Sequence, residues 1–232
     1  MNMDISTLQV IQKRLIEAAR IAGRDPGSIT LVAVGKTFPA DALRVLALAG
    51  QRNFAENYLQ EALEKQAALA DLPLIWHFIG PIQRNKTGQI AAHFDWVHSV
   101  DRELVAERLS AARSETQPPL NVCLQVNISR ESSKSGVLPE QLPALARFVA
   151  TLPRIRLRGL MAIPQPLTDV AARRQQFAAV RDCLEQVRQS GIPMDTLSMG
   201  MSADFELAIA EGATMVRLGS LLFGHRHHAN KE

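Results

Sequence analysis

Apolar positions recur along this chain in two alternating patterns. Between positions 8 and 22 they are spaced by three or four residues, which predicts an amphipathic helix that ends near Gly23. The run ITLVAV at 29–34 is short and continuously apolar, as in a buried strand. The segment PADALRVLALAG that follows it starts with proline and ends with glycine, as helices do. A strand and a helix therefore form a first unit.

The same alternation continues along the chain. Seven more apolar runs predict strands: RNFAEN, LIWHFIG, DWVHSV, LNVCLQVNI, RIRLRGLMAI, DTLSMG and TMVRLG. The helices predicted after them cover 58–70, 83–93, 102–114, 142–152, 170–190, 202–212 and a last short turn. Eight strands that are apolar on both faces and alternate with helices predict a parallel sheet covered by helices.

The number of predicted strands decides between two architectures of the α/β class. Eight units in 232 residues favour a closed (β/α)8 TIM barrel with an extra N-terminal helix, and an open doubly wound sheet is the alternative. No linker or low-complexity segment interrupts the pattern. We therefore expect a single domain over 1–232, with a mobile tail at 225–232.

Composition narrows the class of protein. No apolar run approaches the roughly 18 residues of a membrane span, and the start MNMDISTLQV lacks the features of a signal peptide, so we expect a cytoplasmic protein. Cys123 and Cys183 are far apart and lack metal-type spacing, which favours packing roles for two thiols. Basic residues exceed acidic ones by three and are scattered, so nothing indicates nucleic-acid binding. The histidines of the tail are not expected to form a metal site.

Candidate chemistry begins with Lys36, which follows the first apolar strand directly. In a TIM barrel the carboxyl ends of the strands form the active face. Burial lowers the pKa of a lysine from about 10.4 and leaves a neutral amine that attacks a carbonyl. The alternative is a lysine that reaches out of the barrel mouth and pairs with Glu56.

Two later segments predict an anion site on the same face. SMGMS at 198–202 and RLGS at 217–220 place glycines and hydroxyls before helices, after strands seven and eight, where such barrels often bind phosphate. Ordinary helix capping by Ser202 and Ser220 is the structural alternative. Together with a lysine opposite, these segments indicate a carbonyl compound that bears a phosphate, and pyridoxal phosphate is such a compound.

Arg217 lies in the second of these segments. It is suited to donate to the phosphate or to the ring nitrogen of such a cofactor. Because arginine keeps its proton, the ring would remain a poor electron sink, which argues against strong carbanion chemistry. A structural ion pair with Asp204 or Glu206 is the alternative.

These residues lie in motifs by which the chain closely resembles the YggS/PROSC family of pyridoxal phosphate homeostasis proteins. The motifs run over nearly the whole chain: VAVGKTFP, FAENYLQEA, WHFIGPIQRNK, VNISRESSKSG, RGLMAIP, SMGMSADFELAI and MVRLGSLLFG. The resemblance implies one barrel like the N-terminal domain of alanine racemase, with pyridoxal 5'-phosphate held as an internal aldimine on Lys36. It implies that Arg217 lies near the cofactor ring and that Asn57 and Met161 line the pocket. The phosphate contacts that it implies are Ser198, Gly200, Met201, Ser202, Gly219 and Ser220.

Four positions depart from the family's usual motifs. Gly35 stands where serine is common, Ala55 where glycine is common, and Ser220 in place of threonine. Phe38 replaces a frequent second lysine that is proposed to help cofactor exchange. Lys134, in the SSKSG loop, matches another family lysine and remains a candidate for that transfer or for a second site. The alternative for Lys134 is a solvated loop lysine.

The resemblance implies a carrier that buffers or delivers pyridoxal phosphate and is not an enzyme. An amino-acid racemase is the alternative, and it needs an acid or base on each face of the cofactor. Tyr58 and His77 are the candidates here, but we expect Tyr58 to pack in the core and His77 to be a hydrogen-bonded core histidine. A cofactor-free aldolase that uses Lys36 gives the anion segments no fixed occupant. We expect a monomer that makes transient contacts with apo-enzymes.

Overall fold

Eight parallel strands close into a barrel in chain order in the computed structural model, which describes residues 5–224. The closure confirms the (β/α)8 prediction and excludes the open sheet. The strands are β1 Thr30–Val34, β2 Asn53–Glu56, β3 Ile75–Phe78, β4 Trp96–Val100, β5 Leu120–Val126, β6 Ile155–Ala162, β7 Thr196–Ser198 and β8 Met215–Leu218.

One helix precedes the first strand and a helix follows every strand, and together these helices form the outer layer of the barrel. They are α1 Ile5–Ile21, α2 Ala40–Leu48, α3 Leu59–Ala68, α4 Thr87–His93, α5 Glu103–Ala112, α6 Leu142–Ala150, α7 Val170–Gln189, α8 Phe205–Ala210 and α9 Ser220–Phe223. Short 3-10 turns lie at Pro26–Ser28, Arg84–Lys86 and Pro139–Gln141. The turn at Arg84–Lys86 occupies the start of the helix predicted at 83, and α4 begins at Thr87 instead.

The third strand is shorter than the predicted LIWHFIG because the chain turns at Gly80. A Cβ atom at Gly80 would lie 1.9 Å from the carbonyl oxygen of Asn57, so only glycine fits there. The Ser99 hydroxyl donates to the Gly80 carbonyl from the end of β4. The loop after β3 thus contacts the loop after β2 and the end of strand β4.

Two apolar clusters hold the fold together. The larger one lies between the strands and the helices, as expected when helices cover a parallel sheet. The smaller one fills the inside of the barrel: Val32, Val34, Ala55, Trp96, Cys123, Met161 and Met215. Cys123 and Cys183 are both buried free thiols, which confirms the predicted packing roles.

The extra helix α1 packs against α8 on the outside of the barrel. Leu8 and Ile11 are buried there. Arg14 donates to the Glu206 carboxylate and stacks over the Phe205 ring at 4.8 Å. Glu206 is therefore committed to an ion pair on the outer surface and is not a partner for Arg217.

Two expectations concern features beyond the barrel itself. Within 5–224 no helix is both long and apolar enough to cross a membrane. The same residues contain no group of three histidine, cysteine or acidic side chains arranged to hold a metal ion. The tail expected to be mobile, 225–232, lies outside the described residues.

Candidate functional site

A cavity of ≈ 600 Å³ opens at the carboxyl ends of the strands. Loops that follow β1, β2, β3, β6, β7 and β8 contribute to its wall. Its lining residues are Val34, Lys36, Phe38, Asn57, Ile79, Ile163, Met201, Ser202, Ala203, Arg217, Gly219, Ser220 and Gly224. The structure therefore brings Lys36, Asn57, Arg217 and both anion segments together around one space.

Lys36 lies just after β1 and is partly exposed to the cavity. No side chain or carbonyl in the described part of the chain pairs with its ammonium. Glu56 points away from the barrel interior and accepts a hydrogen bond from Lys65 Nζ at 2.7 Å. The alternative of a Lys36–Glu56 pair is therefore wrong, and the Lys36 amine is free to meet a ligand.

The anion segments carry unused hydrogen-bond donors. Among the described residues, the backbone N–H groups of Ser202, Ala203 and Ser220 find no acceptor. All three residues line the cavity. Gly219 allows close approach, because a Cβ there would lie 3.3 Å from the Val34 carbonyl oxygen. Free N–H groups beside hydroxyls, with little side-chain bulk, suit the oxygens of an anion.

Neither serine caps a helix as the structural alternative proposed. The N-cap residue of α8 is Asp204 and that of α9 is Gly219. The Ser202 hydroxyl accepts only a long contact, 3.4 Å, from the Leu221 N–H. The Asp204 carboxylate accepts from the Met201 N–H at 2.7 Å. Neither serine therefore occupies an N-cap position, although the Ser202 hydroxyl contacts an N–H group in the first turn of α9.

Arg217 is a buried cation on the wall of the cavity. Its guanidinium donates to the Ser198 carbonyl at 2.6 Å, to the Ser198 hydroxyl at 2.7 Å and to the Ala162 carbonyl at 2.9 Å. Burial lowers the pKa of Arg217 to about 10. No carboxylate in the described part of the chain bonds to it, so the predicted ion-pair alternative with Asp204 or Glu206 is wrong. A buried cation of this kind favours an anionic or electron-rich ligand in the cavity.

Beneath Arg217, polar side chains cross the barrel interior. The Ser198 hydroxyl lies 2.7 Å from His98 Nδ1, His98 Nε2 lies 2.9 Å from His77 Nδ1, and His77 Nε2 lies 3.0 Å from Asn53 Oδ1. Burial lowers the pKa of His77 to about 3 and lowers that of His98 well below its usual value. Both rings are therefore neutral, which confirms His77 as a hydrogen-bonded core histidine.

Some predicted site residues lie outside the cavity lining. Ser198 and Met161 are fully buried in the barrel interior below it. Gly200 contributes its carbonyl, which accepts the Arg217 backbone N–H at 3.0 Å. Lys134 lies in the loop after β5, where its Nζ is 2.6 Å from Glu131. Tyr58 is 57% exposed, so its predicted packing in the core is wrong.

Asn57 has an unused acceptor on the cavity wall. Its Oδ1 is buried and has no hydrogen-bond partner among the described residues. A buried polar atom without a partner is unfavourable unless a ligand or water supplies one. Phe38, which replaces the family's lysine, stacks on Phe223 with ring centroids 4.9 Å apart at the edge of the same cavity.

Residues 8–227 match the family model described as alanine racemase, N-terminal domain. The pyridoxal phosphate homeostasis protein of Pseudomonas aeruginosa is 60% identical over 218 residues, covering 94% of each chain. That of Escherichia coli K12 is 46% identical over 239 residues, covering 100% of each. The chain belongs to this family of pyridoxal phosphate homeostasis proteins.

Solved structures agree on the fold of the family. PipY of Synechococcus elongatus, solved with PLP bound, superposes with a TM-score of 0.80 at 40% identity, covering 90% of this chain and 100% of PipY. Alanine racemase from Corynebacterium glutamicum superposes with a TM-score of 0.66 at 19% identity, covering 97% of this chain and 63% of the racemase. The racemase match shows the barrel fold alone.

Several site features were not visible in the sequence. Ile79, Ile163 and Ala203 line the cavity from loops whose conformation depends on the whole barrel. The contact between His98 and Ser198 joins residues one hundred positions apart. The sequence pattern predicts no role for Lys65 either, although Lys65 follows Glu56 by nine residues in the FAENYLQEALEK segment and contacts it in the structure.

Proposed function

We propose that this protein binds pyridoxal 5'-phosphate and contributes to intracellular homeostasis of that cofactor by buffering or delivering it. The observation that carries the proposal is the arrangement of one cavity. Among the described residues, it combines an unpaired amine at Lys36, a buried Arg217 cation that forms no ion pair, and unpaired N–H groups in both anion segments. These three features match an aldehyde, a ring nitrogen and a phosphate.

Lys36 is the proposed attachment point. Pyridoxal phosphate would supply an aldehyde when bound, and the Lys36 amine would be the group that holds it covalently, with loss of water. The chain's own contribution is an amine that no described side chain engages, placed on a cavity wall. The phosphate is assigned to Ser202, Gly219 and Ser220, with the backbone at Met201 and Gly200 shaping the loop.

Arg217 and Asn57 are the proposed ring contacts. Arg217 is held by three oxygens of the barrel interior, so its guanidinium has a fixed position on the cavity wall. Arginine keeps its proton, so the ring nitrogen it faces would act as an acceptor. The free Oδ1 of Asn57 is available to a donor group of the ligand.

The names of the relatives support this assignment. A 60% identical protein is named a pyridoxal phosphate homeostasis protein, and PipY has been solved with PLP bound. Both names concern close relatives that cover most of this chain.

The arrangement of the cavity favours a carrier over a racemase. Racemisation needs a second acid or base that faces the cofactor. Of the lining residues in 5–224, only Lys36 and Arg217 are ionisable. Arg217 keeps its proton, Tyr58 is outside the lining, and His77 is locked in the interior. We propose a cytoplasmic monomer that makes transient contacts with apo-enzymes, with Lys134 available for transfer when its pair with Glu131 opens.

Borohydride reduction tests the attachment. Purified protein mixed with pyridoxal phosphate should turn yellow, and reduction followed by peptide mapping should place the added mass on Lys36. Lys36→Ala should lose both the colour and the mass, whereas Lys86→Ala, an exposed lysine outside the cavity lining, should keep both. A label elsewhere, or no binding, would contradict the proposal. Sustained change in optical rotation with single amino-acid enantiomers would indicate a racemase.

A further inference from the structure

Two side chains of helix α3 hold the peptide groups on both sides of Lys36. Lys65 Nζ donates to the carbonyl oxygen of Gly35 at 2.8 Å. The N–H of Thr37 donates to Glu61 Oε2 at 3.0 Å. Glu61 Oε2 also lies 3.5 Å from Lys65 Nζ, which joins the two contacts into one cluster.

Lys65 is buried, and its charge is balanced inside the protein. Its Nζ is 2.7 Å from Oε1 of Glu56, whose side chain is fully buried. Burial raises the pKa of Glu56 to about 7, against the opposing effect of the hydrogen bond from Lys65. A buried ion pair often gives no more stability than an apolar pair of similar size. Stability alone therefore does not explain why this pair lies directly behind Lys36.

Thr37 carries backbone strain at the same point. Its φ angle is 68°, in the left-handed region that β-branched residues rarely adopt. Strain of this kind persists only where surrounding contacts hold it. The hydrogen bond to Glu61 is such a contact, and it acts on the peptide that follows Lys36.

Gly35 lets the cluster approach the chain. A Cβ atom at Gly35 would lie 2.7 Å from Glu56 Oε1 and 2.9 Å from Leu43 Cδ1. Glycine leaves room for Glu56 and Lys65 behind the strand end. The departure from the family's usual serine thus coincides with the tightest part of the cluster.

We propose that Glu61 and Lys65 are positioning residues for Lys36. They fix the two peptide groups that flank Lys36, so that its Cα is held in place and its amine is presented to the cavity with no partner among the described residues. The inference rests on the proposed function, because it concerns the reaction of Lys36 with the aldehyde of pyridoxal phosphate. It deepens that function by assigning roles to residues that do not touch the cofactor.

Glu61→Ala tests the contact to Thr37. Without the hydrogen bond to Glu61, we expect Thr37 to leave its left-handed conformation. Attachment of pyridoxal phosphate at Lys36 should then be about tenfold slower. Hydrogen exchange of the Thr37 amide in the cofactor-free protein should be faster by a similar factor. Glu61→Gln keeps an oxygen acceptor and should restore most of both values. Glu64→Ala is the matched control, because Glu64 lies on the same helix and, within residues 5–224, its side chain bonds only to Gln60.

Lys65 requires a variant that keeps its neighbour satisfied. Lys65→Met alone leaves Glu56 buried and unpaired, whereas Lys65→Met combined with Glu56→Gln removes both charges. The double variant should unfold in a cooperative transition like the wild type, yet attach the cofactor about tenfold more slowly. Lys65→Arg should recover part of the rate, since it retains a charged donor.

The outcomes separate this inference from the proposed function. If wild-type protein attaches pyridoxal phosphate and Glu61→Ala and the double variant attach it at the wild-type rate, the positioning role is overturned and the proposed function stands. If the wild type attaches none, the proposed function fails. Unchanged exchange of the Thr37 amide in Glu61→Ala would by itself overturn the role assigned to Glu61.

Discussion

The Nη1 atom of Arg217 lies 2.7 Å from the Oγ atom of Ser198, and this contact sets the direction of a hydrogen-bond chain through the barrel. Arginine only donates, so the Ser198 hydroxyl accepts and gives its own hydrogen to His98 Nδ1. His98 is then protonated at Nε2 and donates to His77, and His77 donates to Asn53. Every hydrogen bond points away from the cavity, which fixes both histidine tautomers.

Ser198→Ala should break this chain at its second link. His98 Nδ1 would lose its donor inside the barrel, where an unmet polar atom costs about 1–3 kcal/mol. We expect the free energy of unfolding in urea to fall by that amount. Ser190→Ala is the control, since the Ser190 hydroxyl bonds, as far as the described residues show, only to the Val187 carbonyl at the end of α7. It should change stability by less than about 0.5 kcal/mol. Equal effects of the two variants would contradict the chain.

Acid should destabilise the protein through His77. In an unfolded chain histidine has a pKa of about 6.5, whereas burial holds the pKa of His77 at about 3. Between pH ~6.5 and about 3 the unfolded state therefore binds a proton at this histidine that the folded state does not bind. This contribution to stability is complete above pH ~6.5 and is lost as pH falls, by about 1.4 kcal/mol per pH unit. His98 adds a loss of the same sign.

Glu56 should oppose this acid effect. Its pKa is raised by burial to about 7, so the folded state binds the proton first as the pH falls from 7 towards the unfolded value, and stability rises. Glu56→Gln removes that contribution. Urea unfolding between pH 7.5 and about 5 should thus show a steeper acid loss in Glu56→Gln than in the wild type. A flatter profile in the variant would show that Glu56 does not titrate as described.

Gly35→Ser should strain the cluster behind Lys36. The new Cβ would lie 2.7 Å from Glu56 Oε1 and 2.9 Å from Leu43 Cδ1. Overpacking of this kind costs about 1–3 kcal/mol, and Leu43→Val in the same chain should relieve part of it. Gly88→Ser is the control, because beyond its own helix backbone and chain neighbours no described atom lies within 4 Å of a Cβ at Gly88. Thermal unfolding measures all three, and a Gly35→Ser protein as stable as the control would contradict the packing.

Phe38→Lys restores the family's second lysine at the edge of the cavity. It removes the stacking of Phe38 on Phe223, which is worth about 0.5–1.5 kcal/mol, and places an amine beside Lys36. Under the proposed function, we expect faster transfer of pyridoxal phosphate to an apo-enzyme together with lower stability. Phe38→Leu keeps an apolar side chain without the amine and should not speed transfer. Equal transfer rates for the two variants would show that the amine has no part in exchange.

Much of the fold could be predicted from the sequence, because the periodicity of apolar residues reflects which faces of the helices and strands are buried. The eight strands and the cavity positions of Lys36 and Arg217 follow from the rule that βα loops meet on one face of a barrel. The hydrogen-bond partners of Arg217 and Glu56 could not be predicted from the sequence. His98 meets Ser198 across the barrel, and Lys65 reaches Gly35 from a neighbouring helix, so both contacts depend on register and helix rotation.

Tyr58 shows a second reason why burial could not be predicted from the sequence. Its aromatic ring suggested burial, but the side chain is attached at the N-cap of α3, where the chain turns outward, and it is 57% exposed. Helix boundaries are the least determined part of a sequence pattern. One residue of difference at such a boundary decides whether a ring enters the core or faces water.

The close approach of Gly80 to Asn57 connects the loops on one side of the barrel mouth to each other. Because Gly80 lies against the Asn57 backbone in the loop after β2 and accepts a hydrogen bond from Ser99 in strand β4, the loops after β2 and β3 and the end of β4 form one connected arc. A ligand that enters cannot spread this arc without breaking its internal ties.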